Sequence, residues 1–252
     1  MARGRLRPRY QHSVETVNVV LTSRERTVGY GIVTQPPTVD RARHSRGRRG
    51  SRPSGDDREQ AILATAERLL ADRSLGEISI DELARGAGIS RPTFYFYFES
   101  KDAVLLTLLE RVVAEADEAA FDLPEREAPG DQAQPWREAI DAFFTTFRAH
   151  RAVAVASAQA QATNLEVRQL WTKVMEHWVR RTEEAIQTER DRGAAPPGQP
   201  ARELAVALNL MNERVMYATF AAQEPSVAEP HVVDTLLHVW LTSIYRTTAP
   251  PA

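Results

Sequence analysis

The chain has 252 residues, 42% of them hydrophobic, and a net charge of −2 from 32 basic and 34 acidic residues. That supports a real core in one large domain or two small ones. With no cysteine it excludes disulfides, thiolate metal sites and a cysteine nucleophile, and it suits a reducing cytoplasm; no apolar run approaches a membrane span, and the basic N-terminus lacks a signal peptide's apolar stretch.

The near-neutral total hides an asymmetry. Residues 1–55 hold twelve Arg against three acids, whereas residues 102–252 hold fourteen bases against twenty-two acids. A basic arm on an acidic body points to a polyanion near the N-terminal end. Residues 1–13 and 40–55 are rich in Arg, Gly and Ser, and residues 1–55 are expected to be a disordered basic extension. Between them Val14–Val33 is mildly β-prone but finds no partner strand elsewhere. The natural start is expected nearer residue 40, with the extension being translated upstream sequence.

After residue 55 the pattern is helical. Asp56–Asp72 carries Ile62, Leu63, Ala66, Leu69 and Leu70 on one face. Ser79-Ile80-Asp81-Glu82 has the form of a capping box, so a helix starts at Ile80 and stops near Gly86-Ala87-Gly88. Gly88 suits the left-handed angle of a sharp exit, Ser90 can cap the next helix, and Pro92 sits in its first turn. Two short helices across a tight turn, the second rich in Arg, Thr and Tyr, fit a major groove. Ala84, Ala87 and Gly88 let the helices cross. Ile80, Leu83, Ile89, Phe94 and Phe98 are expected beneath, leaving Ser90, Arg91, Thr93, Tyr95 and Tyr97 to face outward. Phe96 is open to two uses, contact with a thymine methyl or packing against the first helix or the arm.

Helices are then expected at Lys101–Phe121, Pro135–His150, Ala152–Gln161, Glu166–Arg192, Arg202–Ala222 and Glu229–Arg246, with a Pro- and Gly-bearing loop at Asp122–Gln134. The expected fold is all-α, with about nine helices. The helix-turn-helix unit spans 56–101 (its motif about 80–99), and a helical unit spans 102–252. Trp136, Ile140, Phe143 and Phe147 form one aromatic stripe. Trp171, Met175 and Trp178 form another, with Thr182 next on the same face. Stripes of this kind are core by default. Asn209 and Asn212 fall inside an otherwise apolar run, and buried amides need partners. Aromatic walls with a few convergent amides suit an elongated, largely apolar ligand.

The residues Ile80, Leu83-Ala84, Ala87-Gly88-Ile89-Ser90, Thr93-Phe94-Tyr95, Tyr97-Phe98 and Ser100-Lys101-Asp102 resemble the TetR family of bacterial repressors. From Arg52 to Tyr245 the chain resembles a mycobacterial branch of it; nothing before about residue 46 takes part. The resemblance implies that Arg91 and Thr93 reach base edges or adjacent phosphates. Tyr95, Tyr97 and Lys101 contact phosphates, and Ser79 donates to another. The arm residues Arg46, Arg48, Arg49 and Arg52 add salt-sensitive affinity. Two departures from the family pattern are Pro92 for a common Gly and Phe96 for a polar residue.

The resemblance also implies a narrow channel for hydrophobic ligands walled by Trp136, Ile140, Phe143, Phe147, Trp171, Met175, Trp178 and Trp240. Asn209 and Asn212 would be its hydrogen-bonding pair, with Thr182 and Glu213 nearby, and Tyr217 stands where the relative has Phe. The last two helices would form a four-helix dimer interface, for which Ala218, Ala221, Leu236, Leu237 and Ile244 are suited; protomer core is the competing assignment. The implied partners are double-stranded operator DNA, a hydrophobic small molecule and a second copy, with several dimers able to load on one operator. The controlled gene would be a neighbouring flavin monooxygenase of the Baeyer–Villiger type. No membrane, cofactor, metal or catalytic residue is called for: the six His lack ligand spacing, and no HExxH, P-loop or nucleophile elbow is present. The rival readings are a carrier of apolar ligands and a regulator without inducer response.

Overall fold

The computed structural model describes residues 55–121 and 133–246, all within one compact unit, Ser51–Ala252. The arm arginines, Val14–Val33 and most of the expected 122–134 loop lie outside the described residues. Among the described residues there are nine α-helices and no strand: α1 Gly55–Leu70, α2 Ile80–Gly86, α3 Arg91–Tyr97, α4 Lys101–Phe121, α5 Gln134–Ala149, α6 Arg151–Ala160, α7 Leu165–Asp191, α8 Ala201–Phe220 and α9 Val232–Tyr245. The all-α expectation therefore holds, with helix ends displaced by a residue or two. The larger difference is at the last helix. Glu229–His231, which holds Pro230, forms a 3-10 turn, and the α-helix starts only at Val232.

Local chemistry sets the first three helices. Ser79 accepts a hydrogen bond from the Glu82 amide, and the Glu82 carboxylate accepts from the Ser79 amide at 2.9 Å and hydroxyl at 2.8 Å. Gly88 takes φ +68° at the exit of α2. Ser90 caps α3 by accepting from the Thr93 amide, with Pro92 in the first turn. The close approach of α2 to α1, on which the sequence offered no expectation, falls at Gly86. A Cβ there would lie 2.3 Å from the Thr65 methyl.

Under these helices Leu83, Phe94 and Phe98 are buried, while Ile80 and Ile89 are half-buried at the edge. The same core continues without a break along Leu105, Leu109 and Val112 of α4 into the larger bundle. There α4 packs most extensively on α5 and α7 on α8, while α6 touches α1, α4 and α8. Of the five residues suited to a dimer interface, Ala218, Leu236, Leu237 and Ile244 are buried within the single chain. That corrects their use: they fill the seam that α8 and α9 make with the rest of the protomer. Leu210 of α8 is half exposed instead.

Candidate functional site

At one end of the molecule the outer face of α3 carries the side chains expected to meet DNA. Arg91 is held by Asp81 of α2 at 2.9 Å and lies over the Tyr95 ring at 6.0 Å. Both partners of that ion pair are about half exposed, so the pair contributes little and is easily exchanged for a phosphate or a base. The Ser90 and Thr93 hydroxyls share a hydrogen bond of 2.8 Å. Tyr95 is exposed, and Tyr97 is half-buried against the core. Phe96 is 83% exposed, its ring meeting that of Tyr97 in a T-shaped contact at 5.3 Å. Packing of Phe96 against the first helix is thus not what the structure has.

Lys101 departs from its expected role. Its ammonium donates to the carbonyls of Leu75 at 2.7 Å, Gly76 at 3.0 Å and Ile78 at 3.0 Å. A cation at a helix N-terminus opposes the helix dipole, and these three carbonyls offset that. All three donors are engaged, so a phosphate would have to compete for them.

The second feature is a cavity of about 400 Å³ inside the bundle, between α4, α5, α6, α7 and α8. Phe143, Phe147, Trp171, Met175, Trp178 and Tyr217 supply much of its apolar wall. The rings meet edge to face: Trp171 and Trp178 stand at 90° with centroids 5.6 Å apart, and Phe147 contacts both. Each indole is fixed by its nitrogen, which in Trp can only donate. Trp171 donates to Glu213 at 2.6 Å and Trp178 to Asp117 of α4 at 2.6 Å. Burial pushes the Glu213 pKa up, against the opposing hydrogen bond from Trp171.

The two amides divide their work. Asn209 donates to the Thr182 hydroxyl at 3.0 Å and the Ala205 carbonyl at 2.9 Å. Asn212 accepts from the Trp240 indole at 2.9 Å. Because that indole can only donate, the Asn212 carbonyl must face it. Its NH2 is left without a partner among the described residues, on a residue that lines the cavity.

Family models match both regions of the chain that hold these features. Residues 62–108 match the model for bacterial regulatory proteins of the tetR family, and residues 136–246 match that for the C-terminal domain of the transcriptional regulator EthR. The HTH-type transcriptional regulator EthR of Mycobacterium tuberculosis is 60% identical over 200 residues, covering 79% of this chain and 93% of that protein. The chain belongs to the TetR family of bacterial transcriptional regulators. Its EthR-like character extends to the regulator of that name from Mycolicibacterium smegmatis, 50% identical over 83% of this chain and 96% of the other. Among solved structures, a regulator from Saccharomonospora viridis in complex with choline superposes with a TM-score of 0.63 at 21% identity. It covers 78% of this chain and 100% of its own. The fatty acid degradation regulator FadR of Bacillus halodurans gives 0.61 at 17%, covering 77% and 97%. At these identities the two share the fold.

In this TetR-family regulator the cavity gathers Phe143, Phe147, Trp171, Met175, Trp178, Asn209, Asn212 and Tyr217 of the expected set. Trp136, Ile140, Thr182 and Trp240 do not line it. The α5 stripe runs past the end of the cavity to the seam with α9, where the Trp136 ring lies tilted against Trp240 with centroids 5.4 Å apart and donates to Tyr245 at 2.9 Å. Ile140 is core, and Thr182 and Trp240 stand behind Asn209 and Asn212 as braces. The sequence reading missed the whole α6 wall, including Ala154, Ser157 and Ala158, and Leu109 from α4. An alanine-rich helix carries no stripe to reveal it. No group of acidic or histidine side chains among the described residues is arranged to hold a metal, and no described helix is long and apolar enough to cross a membrane.

Proposed function

We propose that this regulator is a ligand-released repressor acting in the cytoplasm, binding a palindromic operator as a homodimer. Residues 56–101 are the reading head and residues 102–252 the sensing and dimerisation half. Residues 1–55 are a basic arm whose Arg46, Arg48, Arg49 and Arg52 follow the phosphate backbone. Arg91 and Thr93 reach base edges or the adjacent phosphates, with Ser79, Ser90, Tyr95 and Tyr97 on phosphates, and the exposure of Phe96 supports its meeting a thymine methyl. A largely apolar ligand occupies the cavity, its carbonyl or similar acceptor taken by the free Asn212 amide. By resemblance, the controlled gene is a neighbouring flavin monooxygenase of the Baeyer–Villiger type.

The observation that carries this reading is the bond from the cavity wall to the connecting helix. Trp178 is both a wall of the cavity and the donor to Asp117 on α4, and Leu109 of α4 is itself part of the wall. A ligand that moves Trp178 therefore acts on the helix whose first residue, Lys101, grips the loop of the reading head. The ligand shifts the equilibrium only by its differential affinity for the DNA-competent and released states. A typical coupling of ~1–3 kcal/mol changes operator affinity about 5- to 150-fold.

The test is binding of the purified protein to labelled DNA from its own upstream intergenic region, with and without a long-chain apolar ligand. Tight, salt-dependent binding weakened by the ligand is expected, with Asp117→Ala keeping the operator affinity and losing much of the ligand effect. Binding indifferent to every ligand would sink the sensor half of the proposal. A folded dimer that ignores the DNA would sink the repressor.

A further inference from the structure

Both indoles of the cavity wall donate to carboxyl groups. Trp171 donates to Glu213 and Trp178 to Asp117, each at 2.6 Å. The face of an aromatic ring is its negative side, and an N–H drawn toward a carboxylate pushes further electron density into the ring. The two indoles stand perpendicular to one another. Phe147 meets both edge to face, and Phe143 meets Trp178 in the same way at 4.8 Å. All four rings line the cavity. Rings set across one another, with their density raised in this way, are the surroundings that attract a cation rather than a neutral group of the same shape.

The two carboxyl groups differ in what they have to balance them. Asp117 has the His177 ring 3.8 Å from its second oxygen. Glu213 lines the cavity, accepts from Trp171, and forms no ion pair among the described residues. Burial pushes its pKa up, because a charge taken from water without a counter-charge is disfavoured. Arg214, the cation of the lining, does not supply one. It is exposed, donates to Gln223 at 3.1 Å and lies over the Tyr217 ring at 5.5 Å, so its charge is held at the outer side. The lining thus joins a half-buried carboxyl to electron-rich rings and turns its own positive charge away.

We propose that the cavity is a site for a lipophilic monocation, an alkylammonium whose charged head lies by the Glu213 carboxylate and the Trp171 and Phe147 rings while its chain covers the remaining apolar wall. This rests on the reading of the cavity as a ligand site, and it adds the charge of the ligand and the side chain that answers it.

The experiment uses dodecyltrimethylammonium, whose head can neither donate nor accept a hydrogen bond, and 1-dodecanol as the uncharged probe on the same chain. Each is titrated below its micelle concentration into the full-length protein at neutral pH and followed by calorimetry. Glu213→Gln keeps an acceptor for the Trp171 indole and removes the charge. It is expected to weaken dodecyltrimethylammonium at least about tenfold and to leave 1-dodecanol nearly unchanged. Asp117→Asn keeps an acceptor for Trp178 and lowers only the density of that ring, so it is expected to weaken the cation alone, by about threefold. A cation that binds the Glu213→Gln protein as well as the wild type overturns this inference, as does a wild type that takes 1-dodecanol and refuses the cation; either leaves the ligand site standing. If Glu213→Gln loses 1-dodecanol as well, Asp117→Asn decides: loss of the cation alone supports the proposal, and equal losses of both probes overturn it. If neither probe binds the wild type, the ligand-site reading falls and this inference with it.

Discussion

Lys101 holds three carbonyls of the turn that precedes the reading helices. Nothing in the sequence around it announces this, because its partners lie 23 to 26 residues earlier. A lysine at the start of a helix reads naturally as a phosphate ligand. In the fold it is a structural fastener between α4 and the Leu75–Glu77 turn. Lys101→Met, which keeps the alkyl stem, should therefore destabilise the protein in the absence of DNA by about 1.5–3 kcal/mol, the range for hydrogen bonds to charged groups. Urea denaturation of the two proteins checks this. An unchanged midpoint would return the lysine to the phosphates.

Among the elements, those governed by near neighbours were legible and those governed by packing were not. The Ser79–Glu82 box, the Ser90 cap and the turn at Gly88 follow from chemistry within four residues, and the structure has all three. The stripes on α5 and α7 were equally legible as stripes. How far along them the cavity extends depends on where α6 and α9 cross, and periodicity holds no information about that. Trp136 and Trp240 were thus assigned to the cavity and belong to the seam beyond it. The capping box also sets an acid sensitivity. The Glu82 carboxyl is lowered from 4.5 to about 2 by the Ser79 amide first, then by Arg73 and the Ser79 hydroxyl. A carboxyl depressed on folding stabilises the protein above its unfolded pKa, and that contribution is lost as pH falls from about 4.5 toward 2. Glu82→Gln should lower stability at neutral pH and flatten its acid limb over that window. Denaturant midpoints measured across the window decide it; parallel limbs would contradict the assignment.

Over the whole molecule, the reading helices and the sensing bundle share one core, and a histidine bridges them. His150, between α5 and α6, lies 2.5 Å from Glu67 of α1 and 3.3 Å from Glu115 of α4. Burial pulls its pKa down, but the hydrogen bond and charge of Glu67, with Glu115 behind them, outweigh burial and leave it raised. A histidine raised on folding stabilises fully below its unfolded pKa, about 6.5, and the contribution is lost as pH rises through the folded value. The wild type should thus lose up to about 1 kcal/mol of stability as pH rises through that raised value, in keeping with a part-exposed pair, while His150→Gln shows no such step. A step that persists in the variant would assign it elsewhere. The four tryptophans give this architecture an optical property. All four, Trp136, Trp171, Trp178 and Trp240, lie in the sensing bundle, while the segment from α1 to α3 holds tyrosine and phenylalanine as its only aromatics. Two of those indoles form the cavity wall with their nitrogens against carboxyl groups. For the ligand proposed to occupy the cavity, intrinsic indole emission is therefore a built-in, label-free gauge, and it responds to DNA only through whatever the reading helices transmit to the bundle.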